Sequence, residues 1–219
     1  MPVRAADALL FDLGRVVIDI DFARAFACWA GHARCEPRRF EEQFRRDVSY
    51  RQHEVGEIDT REYFGVLKAA FDVDMSYDQF IEGWNAIFIG EMPGMAELLK
   101  RAARQLPLYA FTNTNPDHEA VWSTRYADIL ANFKEIFVSS TIRLRKPDAP
   151  AYDHVVKAIG VPAERIVFFD DVIENVEGAR TRHRRGPLDH DQVRHDGVLE
   201  LRVQSQGLGA PGHQASAGP

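Results

Sequence analysis

Four short apolar runs stand out along the chain: Ala8–Phe11, 108–111, 136–139 and Ile166–Phe169. Each is rich in β-branched, aromatic or leucine side chains and too short for a helix, so each reads as a buried strand. Between the last three lie segments with apolar residues at helical spacing, 116–130 and 150–159, the second stopped by Gly160. Met95, Leu98, Leu99 and Ala102 mark a helix face before the second run, and a further helix begins within 175–179. Strand and helix alternating in this way predict an α/β fold, a doubly wound parallel sheet with helices on both faces.

The first two strands are too far apart for one crossover. Between them, Phe22, Ala25, Phe26 and Trp29 fall at i, i+3, i+4 and i+7. Phe40 and Phe44 continue the helical pattern, as do Phe64, Leu67 and Phe71, then Phe80, Ile81, Trp84 and Phe88. Ser76 with Gln79 three residues on reads as a capping box. Residues 22–90 are therefore expected to form several helices, a small cap inserted after the first strand and seated over the cleft, its aromatics packed as its own core. Pro93-Gly94 marks the return. The expected organisation is an α/β core of 1–20 and 92–203, a helical cap of 21–91 and a disordered tail of 204–219.

The chain has 219 residues, enough for one core with an insertion. Its formal net charge of −6 argues against a nucleic-acid surface. No apolar stretch reaches membrane-spanning length and no signal-peptide pattern opens the chain, so a cytoplasmic protein without a membrane partner is expected. Cys28 and Cys35 make no disulfide framework and, with no Cys or His cluster that completes a site, no metal pair is expected. From residue 182 onward Phe, Tyr and Trp vanish while Arg, His, Gly and Pro accumulate. Only 198–203 suggests a weak strand there, and the segment reads as a frameshifted or diverged C-terminus.

Chemistry-bearing residues gather where the strands end. Asp12 closes the first run, Thr112-Asn113 follows the second, Arg145-Lys146-Pro147 opens a helix, and Asp170-Asp171 follows the fourth. In open α/β sheets ligands bind beyond the carboxyl ends of the strands. A fixed carboxylate, a hydroxyl, a lysine and an acidic pair suit phosphoryl transfer: the lysine and hydroxyl hold phosphate, the acids hold Mg²⁺, and the carboxylate attacks. Each piece alone has a commonplace reading as a cap, a turn or a solvated charge. Their order and placement together point to one site.

These segments resemble the haloacid dehalogenase superfamily in its phosphatase form. The quoted motifs are Phe-Asp-Leu-Gly-Arg-Val-Val from Phe11, Phe-Thr-Asn-Thr-Asn from Phe111, Arg-Lys-Pro-Asp-Ala-Pro from Arg145, and Phe-Phe-Asp-Asp-Val-Ile-Glu-Asn from Phe168. The resemblance covers about residues 7–181, and within the superfamily it is nearest to bacterial α-D-glucose-1-phosphate phosphatases, through the Asp-Leu-Gly opening, Gln52-His53-Glu54 and Gly56-Glu57-Ile58. It implies a Rossmann-like core and a Mg²⁺-dependent phosphatase acting on a small phosphorylated metabolite, a sugar phosphate among the choices, through an aspartyl-phosphate. Asp12 would be the nucleophile. The Gly14 carbonyl and Asp171, with Asp12 and a more distant Asp170, would hold the metal. Thr112 and Asn113 would bind phosphate, Lys146 would bridge phosphate and nucleophile, and Asn175 would orient the acidic turn. Family members usually carry a second Asp as general acid two residues after the nucleophile. Gly14 stands there, leaving His53 and His118 as candidate replacements. A 2-haloacid dehalogenase, which needs no metal, and a non-catalytic binding protein are the alternative readings.

Overall fold

The structure is a computed structural model that describes residues 6–44 and 48–183. Strands β1 (Ala8–Phe11), β4 (Leu108–Thr112), β5 (Glu135–Val138) and β6 (Ile166–Phe169) form one sheet in the order β5-β4-β1-β6, every pair parallel. Strands β2 (Ile18–Ile20) and β3 (Phe88–Glu91) form a separate antiparallel pair. The expected doubly wound α/β core is present. The weak strand expected at 198–203 and the tail from 204 lie outside the described residues.

Side chains alternate along the strands and divide the core in two. Ala8, Leu10, Phe111 and Phe137 face helices α9 (Ser139–Ile142), α10 (Ala149–Ile159) and α11 (Ile173–His183), where Ile142 packs and Ala151, Tyr152, Val155 and Ala179 are buried. Phe11, Leu108 and Ala110 face the opposite way, toward α6 (Met95–Ala103), α7 (Pro116–Arg125) and α8 (Ala127–Leu130). The single helix expected over 116–130 is thus two, parted at Tyr126, whose backbone leaves the helical region at φ −117° and ψ 25°.

The insertion carries α1 (Phe22–Ala33), α2 (Pro37–Phe44), α3 (Ser49–Glu54), α4 (Thr60–Phe71) and α5 (Tyr77–Asn85). The capping box at Ser76 and Gln79 is present at the start of α5. Phe88 was expected to extend that helix but lies in β3, paired with Ile20. The β2–β3 pair forms the stem through which the chain leaves the core and returns. Helices α1 and α5 approach closely because Gly83 has no side chain: a Cβ there would stand 2.3 Å from Trp29 Nε1. Trp29 is fully buried, stacks on Phe80 and Trp84, and donates its indole N–H to the Phe80 carbonyl at 2.9 Å. The aromatics form a packed interior as expected, but it is not closed off: Trp29, Tyr63 and Trp84 belong to the same hydrophobic cluster as Phe11, Leu13 and Trp122.

Candidate active site

Strand register brings the acids together. Phe11 pairs with Phe169, so Asp12 and Asp170 leave adjacent strands side by side, and the Asp12 N–H donates to the Phe169 carbonyl at 2.8 Å. Lys146 reaches between them. Its Nζ lies 2.9 Å from Asp12 Oδ1 and 2.6 Å from Asp170 Oδ2, and its side chain is only 1% exposed. Asn113 sets that reach: its Oδ1 accepts from the Lys146 N–H and its Nδ2 donates to the Lys146 carbonyl, both at 2.9 Å. The Asn113 side chain is thereby committed to the loop.

Asp170 is saturated as well. Besides Lys146 it accepts from the Val172 N–H and from Asn175 Nδ2, both at 2.9 Å. Asn175, which the resemblance would have orient the acidic turn, is thus bonded to Asp170, and its carbonyl accepts from the Tyr152 hydroxyl at 2.7 Å. Asp171 is the exposed member of the group. Carboxylate oxygens of Asp12, Asp170 and Asp171 lie within 4.8 Å of one another. Burial, then the charges of Asp170 and Asp171, push the Asp12 pKa up to about 6 against the pull of Lys146. Burial and the Asp170 charge raise Asp171 too. Burial opposes the Lys146 charge, but Asp12 and Asp170 outweigh it and hold its pKa above the ordinary value. Hard oxygen donors that crowd and repel one another fit a hard divalent cation such as Mg²⁺.

These groups open onto a cavity of about 510 Å³. Asp12, Gly14, Thr112, Asn113, Lys146, Asp171 and Asn175 all line it. Ile20, Phe22, Ile87, Phe88 and Trp122 supply apolar wall, and Arg15, Tyr50, Glu54, His118 and Arg145 the remaining polar edge. The Gly14-to-Ile18 turn is held by the Arg15 N–H donating to the Ile18 carbonyl at 2.7 Å, with Arg15 at φ 58°.

The two candidate histidines are placed otherwise than as proton donors. His53 is fully buried away from the cavity lining, stacked on Tyr63 with its Nε2 2.9 Å from Thr60 Oγ1. His118 lines the cavity, but its Nε2–H donates to the Trp84 carbonyl at 2.9 Å and its Nδ1 accepts from Asn115 Nδ2 at 3.1 Å. Burial pushes its pKa down to about 3, so the ring stays neutral with both nitrogens used.

Glu54 and Arg145 entered the sequence reading only as members of quoted segments and Tyr50 not at all, and none of the three was a candidate site residue. Arg145 Nη2 lies 2.8 Å from Glu54 Oε2, and the Glu54 carbonyl accepts from the buried Ser139 hydroxyl at 2.6 Å. Arg51 pairs with Asp148, and the Thr60 hydroxyl donates to Asp117. These contacts fasten the insertion to the α/β unit beside the cavity. Cys28, His32 and Glu82 form a second group of close ligand atoms on α1 and α5 that the sequence did not anticipate, and none of the three lines the cavity. Among the described residues, no helix is long and apolar enough to cross a membrane.

The haloacid dehalogenase-like hydrolase family model matches residues 6–181. A phosphorylated carbohydrates phosphatase of Thermotoga maritima is 24% identical over 182 residues, 80% of this chain and 81% of that one. A sesquiterpene phosphatase of Aspergillus oryzae is 36% identical over 88 residues, 39% of this chain and 44% of that one. The chain spans less than half the length of this fungal relative, and less still of a second one that it matches. A haloacid dehalogenase family enzyme from Bacteroides thetaiotaomicron, solved with magnesium and inorganic phosphate, superposes with a TM-score of 0.70 at 22% identity, covering 82% of this chain and 91% of that one.

Proposed function

Because the chain belongs to the haloacid dehalogenase-like hydrolase family, we propose that it hydrolyses the phosphate monoester of a small metabolite through an aspartyl-phosphate on Asp12. The observation that carries this reading is Lys146, buried between Asp12 and Asp170 at the floor of a cavity that Asp171 also lines. In this reading Asp12 attacks phosphorus, Lys146 and Thr112 hold the phosphate oxygens, Asn113 fixes the Lys146 loop, and Asn175 keeps Asp170 turned toward Lys146. Mg²⁺ held by Asp12, the Gly14 carbonyl and Asp171, with Asp170 behind them, would offset repulsion between phosphate and nucleophile. A 2-haloacid dehalogenase would have no use for the acidic group, which favours the phosphatase.

The sugar phosphate suggested by the sequence is supported by the bacterial carbohydrate phosphatase relative. The walls favour a second substrate class, a monoester with an apolar alcohol, because Ile20, Phe22, Ile87 and Phe88 line the same cavity as Asp12. The sesquiterpene phosphatase relative supports that class. The test is a panel of sugar phosphates, prenyl phosphates and p-nitrophenyl phosphate, with Mg²⁺ and with EDTA. Mg²⁺-dependent phosphate release that Asp12→Asn abolishes is expected. Metal-free halide release from a 2-haloacid, or full turnover by Asp12→Asn, overturns the reading.

A further inference from the structure

Displacing an alcohol from phosphorus leaves its oxygen as an alkoxide unless a proton reaches it. A positioned acid contributes about 10²–10⁴-fold to such a step. Position 14 offers none: the residue is glycine, and Ile20 Cδ1 would stand 2.9 Å from a Cβ built there. Of the other titratable groups on the wall, Asp12 and Asp171 are taken as nucleophile and metal ligand in this reading, Arg15 and Arg145 are guanidinium cations, and the Tyr50 hydroxyl is hydrogen-bonded to Glu54. His118 has both nitrogens engaged, Lys146 is held by two carboxylates, and Glu174 is exposed.

Glu54 remains. It ends α3 and lines the same cavity as Asp12 and Lys146, with its side chain only 5% exposed. Arg145, the Tyr50 hydroxyl and the Lys146 charge face it. Its Oε2 lies 2.8 Å from Arg145 Nη2. Burial raises its proton affinity above that of a solvated glutamate, despite those three partners.

We propose that Glu54, brought to the cleft by the insertion, is the acid and base of this reaction; the assignment rests on the phosphatase reading above. In the first half, an Asp12 oxygen bonds to phosphorus, the ester P–O bond breaks, and the Glu54 proton passes to the leaving oxygen, releasing the alcohol. In the second half, the Glu54 carboxylate takes a proton from water. The water oxygen bonds to phosphorus and the Asp12–phosphorus bond breaks. Inorganic phosphate leaves, with Asp12 ionised and Glu54 protonated again.

The test separates proton donation from a packing role by the leaving group. In rapid mixing with Mg²⁺, Glu54→Gln is compared with the unmodified protein on p-nitrophenyl phosphate, whose acidic phenol leaves without a proton, and on an alkyl phosphate. The first equivalent of p-nitrophenol is expected within about threefold of the normal rate and the first equivalent of alkyl alcohol about 10²–10⁴-fold slower. Phosphorylated Asp12 then accumulates in the variant. Equal slowing on both esters, or on neither, overturns the assignment. Should Glu54→Gln fail to fold, Glu54→Asp carries the comparison and must slow the alkyl step more than the aryl step. If the unmodified protein hydrolyses neither ester, the phosphatase reading itself falls, a result distinct from a variant that slows both alike.

Discussion

Lys146 is a buried ammonium between two buried carboxylates. Removing one member of a buried ion pair strands the others and costs about 3–5 kcal/mol. Lys146→Met, similar in length but neutral, is therefore expected to lower the urea midpoint sharply in EDTA and to remove hydrolysis. A variant as stable as the parent would mean that Asp12 and Asp170 do not depend on this cation. His118 makes a pH prediction. Its pKa falls from 6.5 to about 3 on folding, so its neutral, hydrogen-bonded state stabilises the protein fully above pH 6.5. That stability is lost as pH drops toward 3, by about 2 kcal/mol at pH 5. His118→Gln has no such contribution to lose, so the stability gap between variant and parent should narrow from pH 7.5 to pH 5, and a constant gap would contradict the assignment. Asp12, Lys146 and Asp170 were legible in the sequence because each sits next to a strand end or a proline-opened helix. Glu54 was not, since nothing local distinguishes a buried helix-end glutamate from a solvated one, and Arg145, which pairs with it, lies 91 positions on.

At the scale of elements, close approach of α1 and α5 depends on Gly83. Trp29 cannot retreat, being fully buried with its indole N–H bonded to the Phe80 carbonyl. Gly83→Ala should therefore destabilise by about 3 kcal/mol despite its better helix propensity, and a loss under about 1 kcal/mol would show that the two helices can part. The tie between α3 and the α/β unit divides unevenly. Arg51 and Asp148 are well exposed, so Arg51→Ala should cost no more than about 1 kcal/mol by urea denaturation. A larger loss would shift weight from the buried Glu54–Arg145 contact to this surface pair. The four sheet strands were readable because unbroken apolar runs suit a sheet buried on both faces. Strands β2 and β3 were not, because Asp19 interrupts the first and Gly90 the second, so neither offers a run. Helix α3 escaped for the opposite reason: Ser-Tyr-Arg-Gln-His-Glu reads as a solvated segment, yet Ser49, His53 and Glu54 are buried by contacts from distant parts of the chain.

Across the whole molecule, one hydrophobic cluster runs from the sheet face at Phe11 through the β2–β3 stem at Ile18 and Phe88 to Trp29 and Phe40 in the insertion. The insertion and the α/β unit should therefore lose structure together, with far-UV circular dichroism and tryptophan fluorescence giving coincident urea transitions. Separated midpoints would show the insertion melting by itself. The same molecule gathers negative charge at its centre, where oxygens of Asp12, Asp170 and Asp171 crowd within 4.8 Å and Lys146 is the cation paired with Asp12 and Asp170. Folding gathers these carboxylates, so a divalent cation that binds the gathered group shifts the equilibrium toward the folded state. At a hundredfold excess over its dissociation constant, Mg²⁺ should add about 2.7 kcal/mol, a rise of roughly 5–10 °C in Tm for a chain of this size. Asp171→Asn removes one repelling charge and one ligand. It should melt no lower than the parent in EDTA and respond little to Mg²⁺. The site as drawn would be wrong if Mg²⁺ left the parent's Tm unchanged, or raised that of Asp171→Asn just as far.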